Sequence, residues 1–364
     1  MQIVATDIFP IRLNLETPIP MSSGVIASTG NVLVRLTTDA GTEGWGEGVE
    51  APALTGHGQD DIVADLEAMT SLLVGSDPRR VNEIWDRLRR AHPSASTALG
   101  AIDIALHDVV GKTYGLPVHA LIGGPVRDRI PALTLVGSGD SDADLRRVEE
   151  KRELGYSWFK IKVGMASAET EWQTIERASS LVGGDGVLCA DANEAWDETE
   201  AKKFLAGLEG IPVRFLEQPV SRDDAARLFR VAEASPIPIC ADESAADLAS
   251  VVEFAGTSLG GVSLKLIKHG GITGVMRGGA ICSAGGLAVN LAGKVIESSI
   301  SAAANLHCAA ALDQIDYGCS PANQEVSRDV TSEPLVVDRG EFAVPKKPGL
   351  GVEVDEAIVR QLAG

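Results

Sequence analysis

In the stretch YSWFKIKVG, residues 156–164, Lys160 and Lys162 stand two apart and share one face of an apolar run, while Phe159, Ile161 and Val163 face the other way. Adjacent ammonium groups repel each other and lose hydration on burial, so their presence in such a run calls for a chemical reason. Downstream, successive apolar runs each end in one acid or lysine: Asp191 in LCADANEAW, Glu217 in RFLEQP, Asp242 in PICADES and Lys265 in VSLKLIKHGG. Glu297 in GKVIESS follows. These positions are roughly 25 residues apart, the length of one strand-and-helix unit. Three carboxylates with no His or Cys among them suit a hard divalent cation, Mg²⁺ or its substitute Mn²⁺, and disfavour zinc. Lys162 precedes the carboxylates and Lys265 follows them, which sets an amine on either side. Such a set is suited to removing a proton next to a carboxylate. The cation and Lys160 would stabilise an enediolate oxyanion, and a neighbouring cation with partial desolvation would lower the Lys162 pKa to that of a usable base. Taken singly, a strand-end acid is more often a helix cap and a lysine stem can snorkel. Five such groups at successive strand ends carry the reading.

Those groups need a scaffold that brings strand ends together. Alternating strands are expected at 131–136, 157–163, 187–191, 213–217, 237–241, 261–266, 286–291 and 310–315, with helical stretches such as ETEWQTIERASSLVG between them. That rhythm predicts a (β/α) barrel, whose chemistry sits where the strands end; an open doubly wound sheet seldom keeps so regular a period. Before it, residues 1–15, 31–38 and 44–49 read as strands and 59–115 as helices, with the polar, Gly/Ser-bearing stretch 16–30 expected to be a mobile loop. The tail 334–354 reads as a hairpin with an Arg-Gly turn that packs back on the N-terminal part. The expected division is a cap over 1–125, a barrel over 126–320 and a returning C-terminal segment over 321–364.

The 364 residues are 45% hydrophobic and 23% charged, enough for a large core and more than one domain. A net charge of −19 opposes nucleic-acid and anionic-membrane partners and favours solubility. Five cysteines with no C-x-x-C pair are expected to be reduced, buried thiols of a cytoplasmic protein. The sequence shows no leader-like N-terminus and no membrane span.

At these residues the sequence resembles the enolase superfamily, in its muconate-lactonizing-enzyme subgroup. The resemblance covers nearly the whole chain: GWGE (44–47), AIDIALHDVVGKTYGLPVHALIGG (101–124), the K-x-K at 160–162, DANEAW (191–196), EQP (217–219), ADES (241–244), KLIKHGG (265–271), ESS (297–299) and PGLGVEVDE. It implies an α/β fold, a (β/α)7β TIM-like barrel with an α+β capping domain built from both chain ends. It also implies Mg²⁺ on Asp191, Glu217 and Asp242, with Lys162 and Lys265 as general bases on opposite faces. Lys160 would assist its neighbour, Asn193 and Glu297 would be supporting polar groups, and 16–30 would be the loop that closes over the substrate. Mandelate racemase itself uses a His at the seventh strand, where this chain offers Asn290 and no His–Asp pair, so the lysine-pair subgroup fits better.

The implied activity is a Mg²⁺-dependent racemase or epimerase acting on a small carboxylate, an acyl-amino acid or related acid. A muconate-type cycloisomerase and a syn-dehydratase would use the same groups. Dipeptide epimerases typically show Asp-x-Asp at the eighth strand, whereas Asp313 and Asp316 here are three apart. A non-catalytic relative would be expected to have lost one of the key groups. A homo-oligomer is expected. Among lesser signals, His107, His269 and the Gly pairs read as packing or turns, while His57, Tyr317 and Cys319 are candidates to reach the pocket.

Overall fold

The structure, a computed structural model, describes residues 1–21 and 24–363. Three antiparallel strands open the chain: β1 (Ile3–Met21), β2 (Gly24–Thr38) and β3 (Glu43–Val49). β1 and β2 pair through the stretch expected to be a loop, out to Met21 opposite Gly24, with a register shift between Asn14 and Ile19. Within 16–30 the chain is therefore a ribbon with β-branched residues along it, and only 22–23 at its tip lie outside the described residues. Polarity there does not mean the absence of pairing.

Helices Gln59–Thr70, Val81–Ala91 and Ser96–Tyr114 follow, as the helical periodicity predicts. The last is buried almost throughout, because it lies between the β-sheet and the second half of the molecule. The glycines of GWGEG make this possible. A Cβ on Gly46 would stand 1.9 Å from the Ala101 carbonyl oxygen, and one on Gly44 2.4 Å from that of Ala105. Backbone meets backbone there, and only Gly fits.

After β4 (Arg129–Pro131), eight parallel strands form one sheet in chain order: β5 (Leu133–Val136), β6 (Trp158–Lys162), β7 (Val187–Asp191), β8 (Leu216–Glu217), β9 (Ile239–Ala241), β10 (Gly261–Leu264), β11 (Ala288–Ala292) and β12 (Cys319–Ser320). Helices join each to the next, and an isolated bridge between Ala132 and Cys319 closes the ring. The fold is a TIM-type barrel with an antiparallel cap. Seven strands fall where the sequence puts them. The eighth does not: 310–315 is the end of helix Ser299–Ala311 and the turn after it. The run NLHCAAAL is apolar but rich in helix formers and free of β-branched residues, so its apolarity belongs to a helix buried against the barrel.

The tail forms its turn at Arg339 and Gly340, both with positive φ, and β13 (Glu341–Ala343) pairs with β4. Helix Glu356–Ala363 then returns to β1, and its Glu356 meets Arg35 of the neighbouring β2 at 3.0 Å. All five cysteines are free and buried. No helix among the described residues is long and apolar enough to cross a membrane.

Candidate active site

Parallel register carries the site. Lys162 is the β-partner of Asp191, and Asp191 of Glu217; Glu217 pairs with Cys240, two residues before Asp242. Inward-facing residues at the strand ends thus lie side by side. Lys160, Lys162, Asp191, Asn193, Glu217, Asp242 and Lys265 all line one cavity of about 690 Å³ at the barrel mouth. Beneath them, Leu133, Cys189, Phe215, Cys240 and Tyr317 fill the barrel as an apolar layer.

The carboxylates and ammonium groups alternate. Lys160 donates to Glu217, and Lys162 donates to Asp191 at 2.6 Å and to the Asn193 side-chain oxygen. Across the mouth, Lys265 donates to Asp242 Oδ2 at 2.6 Å. Lys268 donates to the other oxygen of the same carboxylate at 2.8 Å and to two backbone carbonyls. Glu217 also accepts from Ser263 and Asn290. Burial does depress the lysines, yet for Lys160 the Glu217 and Asp191 charges outweigh it, and for Lys265 those of Asp242, Glu217 and Glu243 do, so both pKa values rise.

Backbone geometry fixes the rim. Asn193, Glu194 and Gln218 adopt positive φ just past β7 and β8, costly for non-glycine residues and held by hydrogen bonds. Gln218 accepts from the backbone N–H of Asp242 and Ser244, both at 3.0 Å, tying β8 to the turn after β9. Asn193 donates to Glu243 at 3.0 Å. Glu243 is raised to about 7 by burial and by the Asp242 and Asp191 charges, and its Oε2 is buried without a partner among the described residues.

Glu297 lies at the base of the rim and does not line the cavity. It accepts from the N–H of Ala322 at 2.9 Å and of Lys294 at 3.2 Å, and burial raises it to about 8. Asn290 is interior, bound to Ser263 at 2.8 Å. Tyr317 stacks on Phe215 in the layer below, and Cys319 belongs to the main core, so neither reaches the mouth. His57 is held by Thr55 and Asp65, away from the cavity. Asp313 accepts from Ser283 in the turn after helix Ser299–Ala311, outside the site. Lys268 and Glu243 escaped the sequence reading, although K-x-x-K at 265–268 and D-E at 242–243 lie in its quoted motifs. Glu47 of GWGE is buried and accepts from Asn31, Ser298 and Ser301, which locks the cap onto the rim.

Among the described residues no three His, Cys, Asp or Glu side chains converge as a metal cage. The donor set still fits a hard cation. Asp191, Glu217 and Asp242 are oxygen donors on one wall, each now held by an ammonium group that a divalent cation would compete with, and the unpartnered Glu243 oxygen lies beside them.

A family model described as "Enolase C-terminal domain-like" matches residues 143–358, and one described as "Mandelate racemase / muconate lactonizing enzyme, N-terminal domain" matches residues 3–123. Chloromuconate cycloisomerase of Pseudomonas putida is 33% identical over 361 residues, covering 98% of this chain and 97% of that protein. N-succinyl-L-Arg/Lys racemase of Bacillus cereus is 27% identical over 367 residues, covering 100% of this chain and 98% of that protein. The structure of muconate lactonizing enzyme from Pseudomonas fluorescens complexed with muconolactone is similar with a TM-score of 0.94 and 28% identity, over 99% of each chain.

Proposed function

The chain belongs to the mandelate racemase/muconate lactonizing enzyme family of the enolase superfamily and is an isomerase of that superfamily; we propose that it racemises or epimerises a small carboxylate, an acyl-amino acid or related acid, by moving the α-proton between Lys162 and Lys265. The observation that carries this reading is the placement of the two lysines. Lys162 ends β6 and Lys265 follows β10, on either side of the carboxylate wall and both on the cavity.

A substrate lying across that wall presents one face of its α-carbon to each amine. Lys162 takes the proton from one face and Lys265, held as an ammonium by Asp242, returns one to the other. The reverse direction exchanges their roles. Lys160 stays charged beside Glu217 and offers positive charge to the oxyanion that develops on the substrate carboxylate. Asn193 orients Lys162 through its side-chain oxygen. Mg²⁺ on Asp191, Glu217 and Asp242 would supply further positive charge at the same carboxylate. Similarity to an N-succinyl-L-Arg/Lys racemase over the full chain supports this reading.

A second reading is cycloisomerisation of a muconate, in which one lysine protonates the enolate formed by ring closure. It is favoured by the 33% identity with a chloromuconate cycloisomerase. Lys162→Ala and Lys265→Ala, each shown to be folded, are expected to lower kcat on an N-acyl amino acid about 10²–10⁴-fold. Conversion of muconate to lactone by the wild type, with no change at N-acyl amino acids, would replace the first reading by the second.

A further inference from the structure

Asn290 is an unusual residue for its place. It stands in AVNLA, the middle of β11, fully buried between Val289 and Leu291, where strand and core both disfavour Asn. Its register partner on β10 is Ser263, equally buried, and both reach one carboxylate oxygen, Oε1 of Glu217 on β8. The chemistry of the three groups fixes the direction of each bond. Glu217, paired with Lys160, only accepts. Ser263 has one hydrogen and gives it to Glu217, so the Asn290 atom 2.8 Å from its Oγ must be the amide nitrogen. The same nitrogen donates to Glu217 Oε1 at 3.3 Å. Asn290 Oδ1 is then left buried with no partner among the described residues, a cost that an apolar residue of the same size would avoid.

This clamp divides the two oxygens of Glu217. Two donors occupy Oε1, and neither Ser263 nor Asn290 lines the mouth cavity. Oε2 is met by Lys160, which does line it. Glu217 thus has one oxygen on the side of the mouth and one committed beneath it. Mg²⁺ takes about six oxygens at short, regular distances, and a carboxylate that offers a single oxygen suits it. Ca²⁺ takes roughly six to eight at longer distances and often uses both oxygens of one carboxylate.

We propose that Asn290 and Ser263 are positioning residues for the cation site: they hold Glu217 as a one-oxygen ligand and so set the preference of the wall for Mg²⁺ or Mn²⁺ over Ca²⁺. This rests on Asp191, Glu217 and Asp242 as the wall that holds the cation, and it needs no substrate. Without the clamp, Glu217 is free to turn. That loosens it as a ligand for a small ion and lets it offer both oxygens to a larger one.

Titration of the whole chain with Mn²⁺ alone, counting the free ion by its electron paramagnetic resonance signal, tests this, with Mg²⁺ and Ca²⁺ as competitors. Wild type should bind Mn²⁺ and Asp191→Asn should lose it, which locates the ion on the wall. Asn290→Leu, which keeps the volume, and Ser263→Ala should each weaken Mn²⁺ about tenfold or more. Each should also shift the ratio of Ca²⁺ to Mn²⁺ affinity toward Ca²⁺. Ser263→Ala removes a single oxygen, so the test stands even where Asn290→Leu does not fold. A ratio equal to wild type overturns the proposal even if both affinities fall, because parallel loss marks damaged packing. No Mn²⁺ binding by wild type, or binding that Asp191→Asn leaves intact, overturns it together with the cation wall. α-Proton exchange is read separately: its absence on every acid, with the ratio shifted as expected, counts against the isomerase reading alone.

Discussion

Asp242 holds two ammonium groups at once, Lys265 on one oxygen and Lys268 on the other. Burial by itself would raise its pKa, but those two charges more than offset it and keep the carboxylate ionised well below its usual range. Lys268 does not line the mouth cavity; its hydrogen bonds are to Asp242 and to the Ser263 carbonyl. Its role is to position Asp242. Lys268→Met is expected to cost on the order of 3 kcal/mol, because it removes one partner of a buried ion pair. Urea unfolding should show a lower midpoint at unchanged slope, and an unchanged midpoint would contradict the account. The mouth residues were legible in the sequence because each ends an apolar run on the inward face. The direction of the Lys160 shift was not. It depends on Glu217, 57 residues further on, and strand periodicity reports facing, not distance.

At the scale of elements, close backbone approach sets what the sequence can tolerate. β3 lies against helix Ser96–Tyr114 through Gly44 and Gly46. Gly46→Ala should therefore destabilise by at least about 1–3 kcal/mol, as overpacking does. The obstacle is the Ala101 carbonyl, which is backbone and cannot rotate away. A thermal midpoint equal to wild type would refute the packing argument. Element reading from sequence failed in two places for one reason. In 16–30 and in 310–315, composition was read without partners: polar residues sit on a paired ribbon, and Ala-rich residues end a buried helix. The strands β6 to β11 were legible because their neighbours in space are also their neighbours in the chain.

The whole molecule is held by contacts between segments far apart in sequence. His307, in helix Ser299–Ala311, accepts from the His119 N–H at 3.2 Å and donates to the Leu350 carbonyl at 3.0 Å. It thereby joins the cap's end, the barrel and the tail. That pairing requires a neutral ring, and burial lowers the His307 pKa to about 3. The unfolded chain takes up this proton near pH 6.5 and the folded chain does not. The contribution of His307 is therefore present above pH 6.5 and lost as pH falls from there toward 3. Between pH 6.5 and 5 this amounts to about 2 kcal/mol. Glu297, raised to about 8 by burial, works in the opposite sense: its contribution grows as pH falls from 8 toward 4.5. Subtraction isolates the histidine. Wild type should lose more urea resistance than His307→Gln between pH 6.5 and 5; parallel losses would contradict the assignment. None of these long-range pairs was legible, since each is set by where the barrel brings the cap and the tail.

The most direct measurement of the central claim is α-proton exchange in D₂O, followed by NMR, on separate enantiomers of an N-acyl amino acid with Mg²⁺. Two bases on opposite faces predict a crossed result. Lys162→Ala should still exchange one enantiomer and Lys265→Ala the other, while wild type exchanges and interconverts both. If both variants lose exchange of the same enantiomer, or either keeps both, the two lysines do not act on opposite faces of the α-carbon.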